Sequence, residues 1–158
     1  MKRALIIVDI QNDYFPGGKM ELVGIENAAN NARHALELFR AKNLPIFHIQ
    51  HLSNRAGATF FLPETDGVEI HECVTPQMGE YIIKKHFPNS FRETSLKEQL
   101  QRLNVEEIII CGAMTSVSIP TGRSSSTGSR YNSMASLMLT MASSRLSPSE
   151  MQPGRAGT

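Results

Sequence analysis

The sequence is short of cysteine, of long apolar runs and of charge of one sign, and each shortage removes a class of protein. Two cysteines, Cys73 and Cys111, cannot build a disulfide framework. Lys and Arg number 16 against 15 Asp and Glu, and no basic run forms a stripe, so nothing marks the chain as a nucleic-acid binder. The apolar run at the N-terminus is short and carries Asp9, so it reads as neither a signal peptide nor a membrane span. No G-x-G-x-x-G follows that run, which removes the dinucleotide-binding fingerprint. A chain of 158 residues is long enough for one domain with a real core, and a cytoplasmic protein is the expectation.

What is present is an α/β pattern. ALIIVDIQNDYF is an apolar run that ends in an acid and then breaks at Pro16, Gly17 and Gly18, as a buried parallel strand does. Four runs rich in Ile, Val or aromatic residues predict strands at 4–9, 45–50, 81–84 and 106–111. Ala29, Ala32, Leu36 and Phe39 predict a helix over 26–42, stopped by Asn43 and Pro45. A second helix is expected over 96–103, with Ser95 and Glu98 as a capping box and Asn104 at its end. Alternating strands and helices argue for a parallel sheet with right-handed crossovers. The segment 51–79 is long for a connection, so it should be a lid, a binding loop or a stretch hiding a short element.

After Pro120 the composition shifts to Ser, Thr, Arg, Gly and Met, with Glu150 the one acid. No strand pattern is visible there. Met134, Leu137, Met138 and Met141 have helical spacing, and the flanking Ser- and Gly-rich stretches read as disordered. The expected division is a partial domain over 1–119 and a tail over 120–158 that comes from an altered reading frame, a splice variant or a fusion.

Ligands of open α/β sheets sit beyond the carboxyl ends of the strands, and three strand exits here carry reactive groups. Asp9 follows the first; capping is the plainer role for an acid there, and Asp13 suits that role better. Lys84 and Lys85 end the third, and strand alternation lets only one of them face the cleft with Asp9. The fourth runs into Gly112-Ala113-Met114-Thr115-Ser116-Val117-Ser118, where a helix start would offer N–H groups to an oxyanion. A simple cap by Thr115 or Ser116 explains the same residues.

Together VDIQNDYFPGG, KHFPNSF and IIICGAMTSVSI, in this order and each after a strand, resemble the motifs of the isochorismatase-like cysteine hydrolases. That superfamily also holds nicotinamidases and N-carbamoylsarcosine amidohydrolases, and the resemblance covers about the first three quarters of the chain. It implies a three-layer α/β/α fold with a central parallel sheet, here incomplete on its C-terminal side. It implies a triad of Asp9, Lys85 and the residue at 118. It also implies an oxyanion hole from the Met114 and Ser118 N–H groups, beside a cis peptide at Ala113–Met114. In the family a thiolate attacks an amide carbon, and water cleaves the acyl-enzyme. Isochorismate is a vinyl ether, so the chemistry is not uniform.

Two departures matter. The nucleophile position holds Ser118 instead of Cys, and an alcohol is much harder to deprotonate, so amidase turnover is expected to be absent or very weak. The family's last strand and helices have no counterpart, which predicts an exposed sheet edge and an aggregation-prone chain. Nicotinamidases hold a divalent ion through an Asp and several His after the second strand. Here that place reads His48-Ile49-Gln50-His51, without Asp-x-His, so no metal and no cofactor are expected. One of His48 and His51 should be core and the other should line the pocket. His51, Arg55 and Phe60 are the candidates for contact with a small-molecule substrate. A homo-oligomer is possible by resemblance. Cys111 should be a small core residue, and Cys73 matches no motif. The other reading is a binding or oligomer-interface module that kept the scaffold and lost the nucleophile.

Overall fold

Residues 4–8 are apolar without alternation because both faces of their strand are covered. The structure, a computed structural model, describes residues 1–113 and the backbone of residues 144 and 145. In β1 (Arg3–Val8), Leu5 and Ile7 pack under α1 (Ile25–Ala41), against Ala29, Ala32, Leu36 and Phe39. Ala4, Ile6 and Val8 face the opposite core with Leu96 and Leu100 of α2 (Leu96–Arg102). Successive residues thus serve two different cores, each fully buried Leu or Ile contributing roughly 1.5–3 kcal/mol. The result is the expected three-layer arrangement.

The sheet also contains β2 (Ile46–His51), β3 (Tyr81–Lys85), β4 (Glu107–Gly112) and β5 (Ser144–Arg145), in the order β3-β2-β1-β4-β5. The first four strands are parallel. β5 is antiparallel to β4, opposite Glu107 and Ile108. This corrects the expectation of no strand after residue 120 and of a wholly bare β4 edge: two residues cover part of it through main-chain bonds, which need no apolar pattern. The helical spacing at Met134 to Met141 and the Ser-rich stretches lie outside the described residues.

Element boundaries differ from the expected ones by about a residue, for local reasons. β1 stops at Val8 because Asp9 takes a left-handed φ of 54°. β3 continues one residue further, to Lys85. α1 starts at Ile25 after Gly24, whose φ of 77° suits glycine. The expected capping box at α2 does not form. Ser95 is not extended and makes no capping bond, and its Oγ accepts from Gln99 Nε2 at 2.9 Å. Asn43 and Asn104, both at positive φ, end the two helices as expected.

The long connection after β2 hides two 3₁₀ turns, Asp66–Val68 and Glu72–Val74. It runs beside the chain leaving β1, with Asn12 N–H on Glu69 O at 3.0 Å and His71 N–H on Ile10 O at 2.9 Å. Cys111 is a core residue whose thiol burial pushes up to about 12. Half-buried Cys73 has its Sγ 3.1 Å from His71 Nδ1. Among the described residues no helix is long and apolar enough to cross a membrane.

Candidate active site

A left-handed turn at the end of β1 swings Asp9 into the space beyond the carboxyl ends of the strands. Asp is one of the few residues that tolerate this conformation, because its short side chain can bond locally. From β3, strand alternation leaves Lys84 exposed and buries Lys85. Lys85 Nζ lies 2.9 Å from Asp9 Oδ2, and the two side chains are 2% and 9% exposed. Nζ also donates to Pro88 O at 3.2 Å. Asp9 Oδ1 is buried without a hydrogen-bond partner among the described residues. Burial raises the Asp9 carboxyl to about 6 although the Lys85 charge pulls it down. The pair is thus an acid–cation couple, with one carboxylate oxygen left to receive a proton.

The pair spans β1 and β3 across the end of β2. His51, the last residue of β2, stands opposite Lys85 in register. Burial, then the nearby charges of Lys85 and His86, lower its imidazole to about 4, so it is neutral at pH 7. Phe60 and Phe61 pack edge to face at 5.0 Å, and Tyr14 meets Phe61 at 4.7 Å. The His51 ring lies 5.7 Å from Phe61. Burial, and then the Asp9 charge, raise the Tyr14 hydroxyl and keep it protonated. Phe61 is fully buried at a positive φ of 54°, a strained state for a bulky residue. Asp13 holds it there: its Oδ2 accepts from Phe61 N–H at 2.6 Å and its Oδ1 from Lys19 N–H at 3.1 Å. The plainer capping role thus belongs to Asp13. Arg55 is exposed in the turn after β2.

β4 delivers its end beside the same acid. Gly112 has φ 152°, and a Cβ there would lie 2.1 Å from Val8 O. Ala113 N–H donates to Val8 O at 3.0 Å, one residue before Asp9. Met114, Ser118 and the Ala113–Met114 bond lie outside the described residues.

Of the two histidines of β2, His48 is the core one. Its Nε2 is 2.8 Å from Glu80 Oε2, and Arg40 binds both Glu80 oxygens at 2.6 and 3.0 Å. Burial works against the Glu80 charge, yet Arg40, the Gln77 N–H and His48 hold it at about 2. Among the described residues no group of three His, Cys, Asp or Glu side chains is placed to hold a metal ion. An open groove of about 440 Å³ between Asp13, Lys19, Thr59 and Asp66 lies apart from the pair: Asp9, Lys85 and His51 do not line it. Sequence reasoning missed Gln11, Tyr14 and Glu80. The first two sit inside the run that carries Asp9, whereas Glu80 has no local signal because its partners come from α1 and β2.

Residues 3–125 match the isochorismatase domain family. The isochorismatase family protein YddQ of Bacillus subtilis (strain 168) is 50% identical over 119 residues, covering 75% of this chain and 66% of that protein. A secreted isochorismatase effector of Verticillium dahliae is 38% identical over 117 residues, covering 74% of this chain and 60% of the relative. The crystal structure of an isochorismatase hydrolase from Oleispira antarctica superposes with a TM-score of 0.68 at 44% identity, over 72% of this chain and 62% of that one. The chain therefore spans 60% to 66% of the length of these relatives.

Proposed function

Because the chain belongs to the isochorismatase family, we propose that it is a cofactor-free hydrolase of a small amide or related C–N compound, or of a vinyl ether. The observation that carries this is the buried contact of 2.9 Å between Asp9 Oδ2 and Lys85 Nζ at the carboxyl end of the sheet. In this reading the catalytic unit is residues 1–119. Asp9 takes the proton of the nucleophile at 118, while Lys85 holds the developing charge. The nucleophile's oxygen attacks the carbonyl carbon, and the Met114 and Ser118 N–H groups bind the oxyanion. The leaving amine departs with the proton from Asp9, and water then cleaves the acyl ester. A neutral His51, with Phe60 and Arg55, contacts the substrate. The vinyl ether alternative draws support from the name of the Verticillium dahliae relative.

Ser118 favours a second reading, a binding module on the same scaffold, because an Asp–Lys pair suited to a thiol is a weak base for an alcohol. One experiment separates the two. Wild type, Ser118→Cys and Ser118→Cys/Asp9→Ala are assayed on a panel of small amides and on isochorismate. Turnover that rises in Ser118→Cys and vanishes in the double variant supports the hydrolase. Folded Ser118→Cys without turnover on any substrate supports the binding module.

A further inference from the structure

β1 and β2 form a parallel ladder as far as Asp9, whose N–H donates to Ile49 O at 3.1 Å. In a regular ladder the following rung would run from His51 N–H to the Asp9 carbonyl. Asp9 has turned away at φ 54°, and a side chain takes over the rung. Gln11 Oε1 accepts from His51 N–H at 2.7 Å, and Gln11 Nε2 donates to His51 O at 2.9 Å. The same Nε2 donates to Val68 O at 2.6 Å, a carbonyl also held by Gln50 Nε2 at 3.0 Å. Gln11 is fully buried, and every polar atom of its carboxamide is used. One side chain therefore fastens three segments: the exit of β1, the last residue of β2 and the 3₁₀ turn Asp66–Val68.

We propose that Gln11 is a positioning residue whose carboxamide replaces a strand rung and holds His51 against the Asp9–Lys85 pair, so that the imidazole orients the substrate. The last clause rests on the hydrolase reading, and the rest does not. The physical reason is geometric. The turn that aims Asp9 into the cleft also removes the main-chain partner of His51, and only an amide of this reach restores both a donor and an acceptor. An apolar residue of equal size would leave His51 N–H and C=O to find water, so His51 would lose its burial on the β1 side while Leu52 N–H on Lys85 O at 2.9 Å still ties the strand to β3.

The test uses the full chain and Gln11→Met, which keeps the volume and removes the hydrogen bonds. NMR titration follows the imidazole of His51. Burial, then the charges of Lys85 and His86, should place the wild-type His51 midpoint at about 4. In the variant its midpoint should rise by at least one pH unit toward the free value of about 6.5. Gln11→Asn, polar but one methylene short, should do the same. An unmoved His51 midpoint in either folded variant overturns the proposal, and so does global unfolding of both, since positioning predicts a local release. Placed in Ser118→Cys, Gln11→Met should raise KM at least tenfold with kcat within about threefold. Absent turnover in Ser118→Cys itself would count against the hydrolase reading and leave the His51 result standing.

Discussion

Asp9 is asked to be charged in a place that resists charge. Its carboxyl rests at about 6 instead of 3.8, so the folded chain binds this proton more tightly than the unfolded chain does. Its share of stability is therefore greatest below pH 4 and is lost as pH rises from about 4 to about 6. Over that window the stability of wild type relative to Asp9→Asn should fall by about 3 kcal/mol, read from urea melts at each pH. The proposed catalysis would run the other way. If ionised Asp9 is the base, kcat/KM of Ser118→Cys should fall about tenfold per pH unit below pH 6; a flat profile down to pH 5 would remove Asp9 from that role. Lys85→Met takes away the cation and leaves a buried acid. At pH 7 this should cost about 3–5 kcal/mol, and clearly less at pH 4, where Asp9 is neutral in either background.

At the level of elements, the order of strands and helices was legible because apolar periodicity carries it. The 26–42 pattern becomes α1 with Ala32 and Leu36 fully buried; alternation allowed only one of Lys84 and Lys85 to face inward, the motif resemblance pointed to Lys85, and Lys85 is the buried one. What stayed illegible depends on contacts between distant segments. No local feature announces that Glu80 will meet Arg40 and His48, or that Gln11 will finish a ladder for His51. The capping box failed for a related reason: the residues were right, but Ser95 has the wrong backbone conformation to use them. The Gly112 junction was legible only as a glycine turn, whereas its purpose is the close approach of β4 to Val8. Gly112→Ala would force a Cβ onto the Val8 carbonyl, so it should destabilise the fold by more than about 2 kcal/mol and weaken the Ala113 tie next to Asp9. A loss of about 2 kcal/mol should lower the melting midpoint by about 4–8 °C in a chain of this size, so a melt within 2 °C of wild type would contradict this.

Across the whole molecule the sheet is asymmetric in its protection. β4 is partly covered by β5, while β3 pairs on one side only, with β2, among the described residues. On that edge Ile82 is 50% exposed and Lys84 follows two positions on, a charge of the kind that blunts edge-to-edge pairing. Lys84→Val should increase light scattering at 37 °C with little change in the melting midpoint. The Asp9–Lys85 contact carries a different lesson. Its two residues lie at the ends of strands that are not neighbours, so it closes only after β2 has settled between them. Such a clasp belongs to the late side of the folding barrier, and loosening it should accelerate unfolding and leave the refolding rate almost untouched. The ion pair proposed for catalysis would then also act as a latch on the lifetime of the assembled sheet.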